Sequence, residues 1–447
     1  MQVLKIKRTY FILLSILIVF KAQSQQQKEH QFSLQQAVEF AKKNNVQVKN
    51  SLLNIKIQEQ TNRNITSAAL PTVSANIGTT YYIDIPVSLI PAEIFGGPKG
   101  TYQPVQFGTK YTTNAGISLQ QLLFDGQVFI GLQARKTSMD WKQKEFELTE
   151  EAIKVNVHKI YYQLVVSKSQ IELLDANILR AEKLKHDVSE IYKNGFAEKL
   201  EVDKLEVLLS NLKTEKEKAL NSIEIGYIAL KTLIGLPAKD KLILTDKITD
   251  ADIKSDALID SVNYDDRKDF QYLNLVKKLN EFNIKRYQLS YLPTISFNGT
   301  YSKQAQRNKY TFFENGDWFT TSFVGLNIAV PIFSGFAKDS KVKQSKLELQ
   351  QVENNITNLK LNIDGETEQA KLKFKSSIIT IDEQKRNMQL AEKVYEQTKK
   401  KFEIGTGSNT EITTAQTELK TAQTNYISAL YDAIIAKIDY QKAIGKL

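Results

Sequence analysis

The final stretch of the chain, Lys401 to Leu447, constrains the fold more than any other. After the turn Phe402-Glu403-Ile404-Gly405-Thr406-Gly407, small or apolar residues recur at steps of three and four: Ile412, Ala415, Leu419, Ala422, Tyr426, Ala429, Ala433, Ala436, Tyr440 and Ala443. Such a heptad seam lays one continuous stripe along a helix and commits it to pack against another helix. Shifted back by 210 positions, the seam falls on Val202, Leu205, Leu209, Leu212, Lys216, Ala219, Ile223, Gly226, Leu230 and Leu233, eight of ten apolar, and Gly405 falls on Gly195. The chain reads as two copies of one design.

The rest of the chain supports the duplication. Ser33, with Gln36 as a capping-box partner, predicts a helix that runs to about residue 69 and stops at Leu70-Pro71-Thr72. The period then changes to two: Val73, Ala75, Ile77, Thr79, Tyr81 and Ile83 alternate with Ser, Asn, Gly and Thr, which predicts a two-faced strand. A loop from about 85 to 110, a second strand (Ala115, Ile117, Leu119) and Leu123-Phe124-Asp125-Gly126 follow. Helices are expected over 127–193 and 199–233, on either side of Gly195. The second copy repeats the order. A helix over 267–290 ends at Leu292-Pro293-Thr294, and strands carry Ile295 to Tyr301 and Val324 to Val330 around a loop at 303–317. Ile332-Phe333-Ser334-Gly335 precedes helices over 337–401 and 408–443. At 1.5 Å per residue the 127–193 helix is ~100 Å long, and the next two, end to end, nearly match it. This arithmetic puts both glycine turns at one end of a rod and all four strands at the other.

Lys5, Lys7 and Arg8, an apolar run from Tyr10 to Phe20, and Ala22-Gln23-Ser24 form a secretory signal, taken as residues 1–24. No later stretch holds the roughly 18 apolar residues of a membrane helix, so an exported chain of this kind enters a membrane only as a β-barrel. Each strand is about ten residues with one apolar and one Ser/Thr/Asn/Gly face, as lipid outside and water inside require. Tyr81, Tyr82, Tyr301, Trp318 and Phe319 sit where an aromatic girdle belongs. Four strands cannot close a barrel and an open edge is not tolerated in lipid, so several chains must share one. The net charge of +10 does not indicate a nucleic-acid partner: four basic residues lie in the leader, and the rest interleave with Glu and Asp. With no cysteine, disulfides and thiolate metal sites are excluded.

This order of elements, with its Leu-Pro-Thr strand entries, Phe-Asp-Gly and Phe-Ser-Gly strand exits and Gly-turn hairpins, resembles the TolC-like outer-membrane efflux proteins over about residues 31–447. The resemblance implies an α+β membrane protein: a long α-helical coiled-coil barrel continuous with a shared transmembrane β-barrel, two internal repeats (25–238 and 265–447, around an equatorial segment at 239–264), and a homotrimer. It implies an exit duct of a tripartite efflux pump or type I secretion system. Its partners would be outer-membrane lipid, a periplasmic adaptor and an inner-membrane transporter. Residues implied at the pore entrance are Glu201 and Glu411, six after each turn glycine, with Phe402 and Tyr192 three before. Gly195, Phe196, Ala197, Gly405, Thr406 and Gly407 match the adaptor-contacting tips. Gly407 stands where the best-known member has a lock arginine, and Thr414 where it has a second acidic ring. A first-turn carboxylate is also favoured by the helix dipole, so Glu201 and Glu411 have a simpler structural role open to them.

An enzyme is not expected. There is no phosphate-binding glycine loop, His-Glu-x-x-His or serine elbow, and His30, His158 and His186 are scattered. No cofactor or metal is expected, and three methionines give a dedicated copper duct little support. Small-molecule efflux is preferred to protein secretion. The alternative is a non-channel coiled-coil protein of the envelope, which leaves the two-faced strands and the duplication unexplained.

Overall fold

The computed structural model describes residues 28–248, 253, 263–314 and 316–447. The expected signal segment, and residues 249–252 and 254–262 of the 239–264 segment, lie outside the described residues. Eight strands are described: β1 (Glu29–Phe32), β2 (Thr72–Tyr81), β3 (Val87–Pro91), β4 (Tyr102–Gln106), β5 (Tyr111–Phe124), β6 (Lys241–Leu244), β7 (Thr294–Arg307) and β8 (Phe319–Ala329). The helices are α1 (Leu34–Asn44), α2 (Val46–Ser67), α3 (Gly126–Lys193), α4 (Lys199–Ile234), α5 (Lys268–Leu289), α6 (Ala337–Glu403) and α7 (Asn409–Ala443). Contacts divide the chain into two units, one of residues 1–53, 144–271 and 357–447, the other of 54–143 and 272–356.

The first unit is built on helix seams. Leu419, Ala433, Ala436, Tyr440 and Ala443 of α7 are buried, and the α7 seam meets Val155 and Val166 of α3 and Phe374 and Ile381 of α6. Phe374 stacks on Tyr440 with ring centroids 5.8 Å apart. A second cluster joins Ala37 and Ala41 of α1, Val157 and Tyr161 of α3, and Leu230 and Ile234 of α4. The Tyr161 hydroxyl donates to Phe32 O at 3.0 Å and accepts from Asp246 N at 3.3 Å, while burial holds its pKa far above that of a free phenol. Arg267, nearly buried, bridges Asp269 (2.7 Å), Glu366 (3.0 Å) and Ala443 O (2.9 Å), which ties the start of α5 to α6 and the end of α7.

Three local expectations change. Residues 29–31, where the sequence pattern predicts no strand, belong to β1, which pairs in parallel with β6, Glu29 opposite Lys241. The helix expected from Ser33 to 69 breaks at Asn45, whose extended backbone ends α1. Its Oδ1 accepts from Gln47 N (2.7 Å) and Val48 N (3.2 Å) to start α2, and its Nδ2 donates to Leu233 O. The loop expected over 85–110 contains the β3–β4 hairpin, Val87 opposite Gln106. The capping box at Ser33 forms with Gln36 as read.

The second unit holds a four-stranded antiparallel sheet in the order β2-β5-β7-β8. Its register aligns like with like across β2, β5 and β7, while in β8 Phe323 falls opposite Thr300 and Ser322 opposite Tyr301. Val73–Leu119–Gly299–Val324 and Ala75–Ile117–Tyr301 fall on one face, while Ser74–Ser118–Thr300 and Asn76–Gly116–Ser302 fall on the other. Ser74 and Ser118 share a hydroxyl hydrogen bond of 2.7 Å. At the loop end of the sheet Tyr81 lies 4.9 Å from Tyr111, and Tyr310 meets Tyr111 edge-on. β7 reaches Arg307, further than the sequence pattern suggested, because it pairs to the end of β5.

Candidate functional site

Two features could serve a channel, one in each unit, and each follows from local sequence. In the second unit, the strand exits are helix caps. Asp125 Oδ1 accepts from Gln127 N (2.7 Å) and Val128 N (3.1 Å), and its Oδ2 accepts from Thr294 Oγ1 (3.1 Å). The sheet between these caps leaves one edge of β2 and one edge of β8 without a strand partner among the described residues. Val73, Ile77, Ile117, Val324, Leu326 and Ile328, all on the apolar face, are exposed. No helix among the described residues is long and apolar enough to cross a membrane.

In the first unit, the two glycine turns have the same backbone. Gly195 sits at φ +82° and Gly405 at +76°, the left-handed region in which glycine ends helices without a Cβ penalty. Phe196 N donates to Ile191 O at 3.0 Å and Thr406 N to Lys401 O at 2.9 Å, the same six-residue closure in both turns. Beyond this the turns diverge. Ser408 caps α7 through a full capping box, with Glu411 N donating to Ser408 Oγ (3.2 Å) and Ser408 N donating to Glu411 Oε2 (3.4 Å). At the start of α4 the N-cap Glu198 makes no side-chain cap, and the Glu201 side chain has no hydrogen bond or ion pair among the described residues.

The aromatic pair also divides. Phe402 packs on a cluster of Val188, Leu205, Tyr395, Ile412 and Leu419, whereas Tyr192, its counterpart, is exposed. Gly407 is held in a tight place: a Cβ there would lie 3.0 Å from Phe402 N and 3.1 Å from Lys401 C. The most open large apolar side chains at the tips are Phe196 (85% exposed) and Ile404 (74%). Ile404 and Leu200, also exposed, were not singled out in the sequence, although for Ile404 its place directly beside a turn glycine was the available signal. The structure thus brings Phe402 and Glu411 into one packed and capped turn and leaves Tyr192 and Glu201 open at the other. No cluster of three His, Cys, Asp or Glu suited to a metal occurs among the described residues.

Comparison with known proteins follows the same outline. Residues 279–446 match the family model described as outer membrane efflux protein. The outer membrane protein TolC of Vibrio cholerae is 19% identical over 342 residues, covering 75% of this chain and 77% of that protein. The crystal structure of VceC from Vibrio cholerae superposes with a TM-score of 0.72 at 14% identity, covering 92% of this chain and 96% of that one. The Campylobacter jejuni CmeC outer membrane channel superposes with a TM-score of 0.73 at 17% identity, covering 92% and 85%. The fold is therefore that of outer-membrane channel proteins such as VceC and CmeC. The C-terminal part of the chain, residues 279–446, is similar in sequence to the outer membrane efflux protein family, and 342 residues are similar to TolC.

Proposed function

We propose that the protein is the exit duct of a tripartite efflux or type I secretion system, working as a homotrimer. The observation that carries this reading is the four-stranded sheet, apolar on one face, polar on the other, and open at both edges. Three copies joined β2 to β8 make a closed barrel of about twelve strands, within the range of closed outer-membrane barrels. The strands, of 10 to 14 residues, are long enough to cross a bilayer at a tilt. The signal segment delivers the chain to the envelope. A periplasmic adaptor engages the turns through Phe196 and Ile404, and an inner-membrane transporter feeds the duct.

Glu201 supplies the negative charge of the entrance, since its carboxylate is uncommitted, and Glu411 divides its carboxylate between the entrance and its own helix. Rings of carboxylates in a narrow pore draw cations and repel anions. Extraction into detergent, native mass spectrometry and single-channel recording test the proposal, with a conducting, cation-preferring trimer expected. A non-conducting elongated protein would leave the coiled-coil structural reading in its place. Glu201→Gln and Glu411→Gln together lower cation selectivity with the trimer intact, and the first accounts for most of the change. An unmoved reversal potential in the double variant reduces both residues to helix-end charges.

A further inference from the structure

In the second unit, one to two turns from the strand ends, α2, α3 and α5 enclose a cleft of ≈ 350 Å³. Its polar lining includes Gln58 and Asn62 on α2, Arg135 and Ser138 on α3, and Asn280, Asn283 and Arg286 on α5, and no Asp or Glu lines it. Arg135 is held by neutral acceptors alone, with Nη1 donating to Thr66 Oγ1 (2.6 Å) and Nε to Leu132 O (3.0 Å). Arg286 donates through Nη2 to Tyr287 Oη (3.0 Å) and lies over that ring, while its buried Nε has no partner. Neither arginine is in an ion pair among the described residues. The wall around them is already set: Asn62 donates to Arg135 O (3.0 Å) and accepts from Ser138 Oγ (3.1 Å).

A buried guanidinium donor without an acceptor is costly, and two cations lining one cleft without a carboxylate raise that cost. An oxyanion removes it, because a guanidinium fork matches the oxygens of a phosphate or carboxylate and such charge-assisted bonds are strong. The opposite lining is apolar, from Ile65, Ile130, Leu279 and Phe282. Ile65 lies seven residues before β2 and Arg286 eight before β7, so helical rise puts the cleft ~10 Å from the strand ends.

We infer that this cleft binds an anionic amphiphile, its phosphate or carboxylate on Arg286 and Arg135 and its hydrocarbon on Ile65, Ile130, Leu279 and Phe282. The inference rests on the channel reading for its setting, since a sheet in the membrane puts the cleft at the depth of lipid headgroups. Two sources share this chemistry, an anionic lipid of the inner-facing leaflet and an amphiphilic anion passing through the duct.

The test uses the full chain in a neutral detergent, read by native mass spectrometry and thermal shift. The probes are dilauroyl phosphatidylglycerol, the phosphatidylcholine of equal chain length, decanoate and inorganic phosphate. Phosphatidylglycerol is retained and raises the melting temperature, phosphatidylcholine does not, and Arg286→Gln weakens retention roughly tenfold while Arg286→Lys keeps most of it. Ala134→Glu, which supplies an internal carboxylate to the cleft, abolishes retention and guards against a folding defect in the arginine variant. Decanoate that displaces the lipid at equal affinity supports the site and assigns it to passing solutes. Equal retention by the protein and by Arg286→Gln overturns the inference, as does inorganic phosphate bound as tightly as the lipid. Conductance of the same preparation separates the two readings: a conducting protein that ignores phosphatidylglycerol sinks the cleft alone.

Discussion

The twin return helices α4 and α7 have one seam spacing and very different surroundings. Of the 35 residues of α7, fifteen are buried, whereas only six of the 36 in α4 are. Between Leu212 and Leu230 nothing on α4 is buried, and Val207, Leu220, Ile225 and Ile228 are exposed. The α7 seam is rich in alanine and clusters with side chains of both α3 and α6. The α4 seam is rich in leucine and faces its partners along a narrower stripe. Spacing declares that a helix packs, but the number of neighbours within one chain decides how much of it is covered. Under the trimer proposal, the flank of α4 that this chain leaves open is covered by another copy.

The sharpest way to break this comparison is a matched pair of truncations. Leu419→Ala, at a fully buried position, costs about 2–5 kcal/mol in thermal or denaturant unfolding. Ile225→Ala, at a side chain 67% exposed, changes the unfolding of the single chain by no more than about 0.5 kcal/mol. It lowers the trimer fraction in detergent instead, and an unchanged trimer fraction would show that this flank faces solvent. The two turns, by contrast, are expected to behave alike at their glycines. Gly195→Ala and Gly405→Ala each cost about 1–2 kcal/mol, since both positions have positive φ and open space around the missing Cβ. Unequal losses in parallel melts would mean that one turn is held by contacts the other lacks.

The caps separate the turns again. Ser408→Ala removes a formed capping box and costs about 1 kcal/mol, whereas Glu198→Ala removes no side-chain cap and is close to neutral. Amide exchange in the first turns of α4 and α7 reads this directly, and equal protection changes would refute the asymmetry. The smallest effect is one of pH. Burial, with the nearby Lys154 charge, holds the His158 imidazole below its ordinary value, and its Nδ1 contact with Lys154 O (2.7 Å) opposes this only in part. The unfolded chain therefore binds the proton more readily. The stabilisation is present above the ordinary value of 6.5 and is lost as pH falls from there toward the lowered one. His158→Gln should flatten the acid side of a melting-temperature profile, and an identical profile would assign that loss elsewhere.

What could be read from residues alone was whatever short-range physics controls. The Ser33 capping box, the glycine turns at 195 and 405 and the two-residue alternation of the strands each depend on groups a few positions apart. Their duplication at a spacing of 210 residues extended that local reading to the order of elements. Tertiary structure decided what depends on distant partners. β1 exists because Lys241 to Leu244 lies beside it, and α1 ends at Asn45 because its side chain caps α2 and reaches Leu233 O. Phe402 and Tyr192 are equivalent in sequence, yet one packs on the cluster that holds Ile412 and Leu419 and the other is open. The arginine cleft was invisible for the same reason: its walls come from three helices separated by more than fifty residues, and no local pattern marks charges that meet only in space.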